Sequence, residues 1–111
     1  MGTRSPITTH VLDTAQGKPA AGLAVTLEIR DRDRWTALAK GVTDADGRAA
    51  NLLPSDHDLT IGTYRLTFAT SAWKEGFFPE VSVTFSVADP SQHYHVPLLI
   101  SPYGYTTYRG T

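Results

Sequence analysis

Cysteine is absent from the 111 residues. That excludes a disulfide scaffold, a Cys-ligated zinc or iron–sulfur site and a Cys nucleophile, and it leaves the redox compartment unread. Charge of one sign is lacking too. Ten Lys and Arg stand against 11 Asp and Glu, a formal net charge of −1. A generic nucleic-acid binder usually needs a basic surface, so no nucleic-acid partner is expected. No apolar run approaches the roughly 18 residues of a membrane span. The start Met1-Gly2-Thr3-Arg4-Ser5-Pro6 has no apolar signal core after it. Pro6 stands where a myristoylation pattern wants Ser or Thr. The chain as given is therefore expected to be soluble and cytoplasmic, with no signal peptide, peroxisomal tail or membrane partner. Three catalytic signatures are also missing: a Gly-x-Ser-x-Gly elbow, a phosphate-cradling glycine loop and His-Glu-x-x-His.

What is present points to strands. The chain is 41% hydrophobic and 19% charged, which separates it from disordered sequences. Its length predicts one domain over residues 1–111. Thr, Val and Ile supply 26 residues beside 11 aromatics, types that suit a pleated surface. The dominant period is 2. Leu23, Val25, Leu27 and Ile29 alternate with small or polar residues up to Arg30. Tyr64, Leu66 and Phe68 alternate with Thr63, Arg65 and Thr67, and Val81, Val83, Phe85 and Val87 with Ser82, Thr84 and Ser86. Each run predicts an antiparallel strand with one buried and one wet face.

Weaker strands are expected at Ile7–Asp13, Trp35–Thr43, Ala49–Leu52, Tyr94–Ser101 and Gly104–Tyr108. Turn signals fall between them, among them Gln16-Gly17-Lys18-Pro19 and Asp44-Ala45-Asp46-Gly47. Eight short strands with such punctuation predict a sandwich or barrel. Ser71 to Gly76, with a cap-type Ser and a terminating Gly, predicts one short helix. Pro97 costs a ladder donor, so it belongs at an edge or bulge.

Chemistry is concentrated in few residues. His93 and His95 stand two apart on an expected strand and share a side. They form a possible metal pair, although a catalytic zinc needs at least one more ligand. The plainer reading is a polar-face pair without metal. His10 shares a face with Thr8 and Leu12. His57 lies in a charged loop and reads as solvated. Asp44-Ala45-Asp46-Gly47 opens like a calcium loop, but Arg48 follows where an acidic ligand is needed and no closing Glu appears. Arg48 is a solvated charge or a planar donor for a carbonyl or anion. The last eleven residues carry three Tyr and one Arg. Termini are usually loose and polar, so this tail is expected to dock, into its own core or into a subunit interface.

Three stretches together carry a resemblance. They are Thr8-Thr9-His10-Val11-Leu12-Asp13 with Gly17-Lys18-Pro19-Ala20, then His93-Tyr94-His95-Val96-Pro97-Leu98-Leu99, and the tail Ser101 to Thr111. From about Ile7 onward the chain resembles the 5-hydroxyisourate hydrolases, transthyretin-like enzymes of urate breakdown. The family's closing Tyr-Arg-Gly-Ser appears here as Tyr108-Arg109-Gly110-Thr111. The resemblance implies an all-β, transthyretin-like (prealbumin) sandwich of two four-stranded sheets with one short helix. It implies a homotetramer, a dimer of dimers with active sites at the dimer–dimer interface. It implies hydrolysis of a purine-derived amide by water, with no metal and no organic cofactor. His10, Arg48 and His95 match the family's two histidines and its arginine. Two histidines allow a division of labour, in which one deprotonates water and the other holds that base or protonates the leaving nitrogen; His10 is taken as the base, oriented by His95, and the sequence does not decide the order. Tyr108 matches a substrate-contacting tyrosine, and Thr111 the terminal serine, with a methyl added. Transthyretin itself is the competing relative, a carrier of an aromatic or hormone ligand in the inter-dimer channel. It has a lysine where this chain has His10 and lacks the Tyr-Arg-Gly-Ser ending.

Overall fold

The computed structural model describes residues 4–111, so the first three residues of the Met1–Pro6 start lie outside it. In chain order its elements are β1 (Ile7–Asp13), β2 (Lys18–Pro19), β3 (Ala24–Asp31), β4 (Arg34–Val42), β5 (Arg48–Ala49), β6 (Gly62–Phe68), α1 (Thr70–Trp73), β7 (Val81–Val87), β8 (Tyr94–His95), β9 (Leu98–Ser101) and β10 (Gly104–Thr107). They form two sheets in a slab 36 × 34 × 20 Å. The short dimension fits two sheets packed about 10 Å apart with side chains outside.

The first sheet is antiparallel throughout, in the order β4-β3-β6-β7. The period of 2 sets its faces. Val25, Leu27, Tyr64, Leu66, Phe68, Val81 and Val87 are all but inaccessible, while Ser82, Thr84 and Ser86 are exposed. Burying each large apolar side chain stabilises by about 1.5–3 kcal/mol. The β3–β4 register shifts once, between Leu27 and Glu28.

The second sheet is built on β1. Its main path is β10-β9-β1-β2, and β5 and β8 also pair with β1. One edge of β1 takes β8 and β9 in parallel. The other takes β5 and β2 antiparallel. The two four-stranded sheets are thus present along their main paths, with two-residue segments added on β1.

Local departures from the expected elements have physical causes. Lys18-Pro19, read as a turn, pairs with Leu12 and Asp13. The Tyr94–Ser101 strand is split, because Pro97 offers no N–H. Pro97 is not at an edge: β9 runs between β10 and β1, and pairing to β1 lapses at Val96-Pro97 and resumes at Leu98 in the same register. The Ala49–Leu52 strand shortens to Arg48–Ala49. Beyond it the backbone turns to Ser5, whose N–H donates to the Ala50 carbonyl and whose Oγ accepts from Leu53 N–H. The helix spans only Thr70–Trp73, and Ser71 lies inside it, with no side-chain cap. Lys74 is already extended, so Gly76 does not end the helix. The Lys74 ammonium instead reaches the buried Asp13 carboxylate at 3.0 Å. Among the described residues no helix is long and apolar enough to cross a membrane.

Candidate active site

The alternation of β1 divides its residues between two worlds. Ile7, Thr9, Val11 and Asp13 point into the sandwich, and Thr8, His10 and Leu12 point to the outer face. Register then adds neighbours. Arg48 on β5 pairs with His10, and His95 on β8 pairs with Thr8. Residues directly opposite one another share a face. Four polar side chains from three strands therefore meet on the outside of one sheet.

A tight turn positions Arg48. Asp44 Oδ1 accepts the backbone N–H groups of Asp46 and Arg48 at 2.9 and 3.0 Å. Gly47 takes φ 76° within that turn, the left-handed region open to glycine. The Arg48 N–H bond holds the Asp44 carboxyl below its usual range. The Asp44 oxygen is thus spent on the turn. Among the described residues no group of three His, Cys, Asp or Glu is placed to hold a metal. The same turn orients His10, whose Nε2 lies 2.9 Å from the Asp46 carbonyl. A carbonyl only accepts, so Nε2 carries the hydrogen and Nδ1 has the free lone pair in the neutral ring.

His95 is held from three sides. Its Nδ1 lies 2.8 Å from Thr8 Oγ1, which also touches His93 Nε2 at 3.1 Å. The two imidazoles stack with centroids 6.5 Å apart at 16°. The His95 carbonyl accepts Gly110 N–H at 2.8 Å. A Cβ on Gly110 would stand 2.6 Å from His95 Cδ2, closer than such atoms approach, so the tail can cross this ring only as glycine. Burial pushes the His95 imidazole below its ordinary value, and His93, Arg48, His10 and Arg4 push it the same way. Burial and then Arg4 lower His93, partly opposed by a hydrogen bond to the Ser5 backbone.

Arg4, Thr8, Thr9, Arg48, Ala50, His95 and Thr111 line a depression of about 150 Å³. Among the described residues no Asp or Glu lines it, and Arg4 and Arg48 suit it to carbonyl oxygens or an anion. His10 flanks it beside Arg48. Four expected site residues, His10, Arg48, His95 and Thr111, are therefore brought together. Tyr108 is not. It is 58% exposed and lines a separate depression with Val83, Phe85, Tyr94 and Thr107. Arg109 anchors the tail, donating to Gln92 Oε1 at 2.8 Å and lying over the Tyr94 ring at 4.5 Å. Tyr105 packs edge-on against Phe78. The tail thus docks partly on its own chain, with Tyr103 and Tyr108 left exposed. His57 lies outside the depression, in the loop between β5 and β6. Thr8 and Arg4 belong to the site without having been given a role, and Gly110, quoted only within the closing motif, packs on His95. The shared face of Thr8 and His10 was a usable signal for the first. Arg4 arrives by a long-range contact that leaves no local pattern.

A model of the HIUase/Transthyretin family matches residues 7–110. A 5-hydroxyisourate hydrolase of Caulobacter vibrioides is 47% identical, over 96% of this chain and 99% of that protein. The structure of Klebsiella pneumoniae 5-hydroxyisourate hydrolase superposes with a TM-score of 0.82 at 37% identity, covering 95% of this chain and 98% of that one. Sea bream transthyretin, solved in complex with thyroxine, superposes at 0.86 with 34% identity, covering 96% of each chain.

Proposed function

The chain belongs to the HIUase/transthyretin family, and we propose that it is the hydrolase of that family, opening 5-hydroxyisourate at its N1–C6 amide to give 2-oxo-4-hydroxy-4-carboxy-5-ureidoimidazoline. The observation that carries this reading is the double pairing across β1, His10 with Arg48 and Thr8 with His95. Backbone superposition does not separate enzyme from carrier, since both relatives match closely. The polar lining of the depression supports the enzyme, since it sets the His95 imidazole beside the Arg48 guanidinium with His10 paired to Arg48 across β1.

In the reaction, water attacks C6. His10 Nδ1 takes the proton as the C–O bond forms, and a placed general base of this kind contributes about 10²- to 10⁴-fold. Arg48 faces the oxyanion on C6. Losses on removing comparable donors suggest about 3–4 kcal/mol for that contact. The proton gained by His10 then goes to the departing N1, which closes the balance without a covalent intermediate. Thr111 and Tyr108 hold the flat ring. The working assembly is a homotetramer whose sites are completed at the dimer–dimer interface. Three features support that: the site lies on an outer sheet face, β7 and β10 each leave one edge unpaired among the described residues, and Tyr108 lies outside the depression of its own chain.

The test uses 5-hydroxyisourate generated in situ by urate oxidase, with its absorbance decay followed on adding the protein. Accelerated decay is expected. Decay at the spontaneous rate from a folded protein contradicts the reading and turns attention to the transthyretin-like carrier.

A further inference from the structure

We propose that Arg4 is a second binding residue of the depression, one that holds the carboxylate formed at C6 when the ring opens, so that the site takes flat ring carboxylates as a ligand class. Arg4 lines the depression of about 150 Å³ together with Arg48, Thr8, His95 and Thr111. Its side chain is exposed, but its root is held. The next residue, Ser5, is only 1% exposed. Ser5 N–H donates to the Ala50 carbonyl at 2.8 Å, and its Oγ donates to the Ile7 carbonyl at 2.6 Å and accepts Leu53 N–H at 3.1 Å. The Pro6 carbonyl accepts Tyr94 N–H at 2.9 Å. The segment leading into β1 is thus tied to β8 on one side and to the chain after β5 on the other. Arg4 is presented where Arg48 and His95 already converge.

Charge favours an anion there. Among the described residues the ion pairs are Arg65 with Glu28 and Lys74 with Asp13. Neither the Arg4 nor the Arg48 guanidinium belongs to one, and no Asp or Glu lines the depression. Other guanidiniums of the chain are spent on protein oxygens: Arg65 on Glu28, Arg109 on Gln92 and Arg30 on the Arg32 carbonyl. Two uncommitted guanidiniums at one depression attract an anion, and each planar fork matches a carboxylate. The source of that anion rests on the hydrolase reading. Water adds its oxygen to C6 as the C6–N1 bond breaks. One water proton reaches N1 by way of His10. The acid left at C6 gives its other proton to solvent, because a carboxyl group of ordinary pKa, about 4, is ionised at neutral pH. One oxyanion on C6 thereby becomes two carboxylate oxygens. Arg48 faces the first, and the second, delivered by water, meets Arg4.

Binding is measured apart from turnover, by calorimetry at low ionic strength. The probes are orotate, a flat ring carboxylate, and uracil, the same ring without the carboxylate. Wild-type protein is expected to bind orotate more tightly than uracil. Arg4→Gln is expected to weaken orotate by about 3- to 10-fold, the range of a charge-assisted bond at an exposed site, with uracil unmoved, and Arg4→Lys to recover part of the loss. Removing the exposed guanidinium leaves the Ser5 bonds in place. Equal orotate affinity in wild type and Arg4→Gln, or no preference for orotate over uracil, overturns the proposal. Orotate as an inhibitor of ring opening is expected to show the same rise in its inhibition constant. A wild-type protein that leaves 5-hydroxyisourate at its spontaneous rate sinks the hydrolase reading instead, and the calorimetry still decides whether Arg4 holds a carboxylate.

Discussion

His95 illustrates how much of a site's chemistry is set by residues that never touch substrate. Thr8 engages one nitrogen of its ring, Gly110 packs on one edge, and burial with the surrounding cations disfavours its charged form. Its pKa lies below the ordinary value, so ring resonances followed against pH are expected to place the His95 midpoint below about 6.5; a midpoint at or above that value contradicts the account of its burial. Gly110→Ala tests the packing. The added methyl meets the His95 ring, so kcat drops while the denaturation midpoint barely moves, and an unchanged kcat shows that the ring has room. The sequence motifs pointed to His10, Arg48 and His95 through family likeness. The contacts that tune them join positions far apart in the chain, such as Thr8 and His95, and periodicity is silent on those.

At the scale of elements, β1 does most of the organising. Its outer face carries Thr8 and His10, and its two edges bring His95 from one side and Arg48 from the other. The alternation in β1, β3, β6 and β7 was legible because one face of each is buried. Two-residue pairings such as Lys18-Pro19 carry no period and were not. The helix was legible as a break in the alternation, but it begins after Ala69 and stops at the extended Lys74, which reaches Asp13, and not at Ser71 or Gly76. Lys74→Met is expected to cost about 1–2 kcal/mol in urea unfolding, since it strips a buried carboxylate of a partner that is itself half exposed. No change would mean that the turn N–H groups of Ala15 and Gln16 suffice for Asp13. Gly47→Ala strikes the turn that presents Arg48. With φ 76° and the Val11 carbonyl against any Cβ, it is expected to cost about 1–3 kcal/mol, read as a lower denaturant midpoint.

For the whole molecule, acidification links site and stability. His93 and His95 both resist protonation in the fold. Below about pH 6.5 the unfolded chain binds protons that the folded chain refuses, so stability falls as pH drops through that value and levels off below the folded pKa values. Denaturant midpoints that rise on acidification from neutral would contradict this. The tail gives a second handle. Removing Tyr108–Thr111 takes away Gly110 and Thr111 from the His95 depression and Arg109 from Gln92, while β10 keeps its pairing with β9. Activity is expected to fall more than stability; equal losses would make the tail a structural strap. The most direct measurement is the decay of enzymatically generated 5-hydroxyisourate with wild-type protein beside His10→Ala and His95→Ala, each checked for an unchanged assembly by light scattering. The account predicts accelerated decay with the wild type, reduced by about 10²-fold or more in both variants. Wild-type decay at the spontaneous rate, or variants as fast as the wild type, would contradict it.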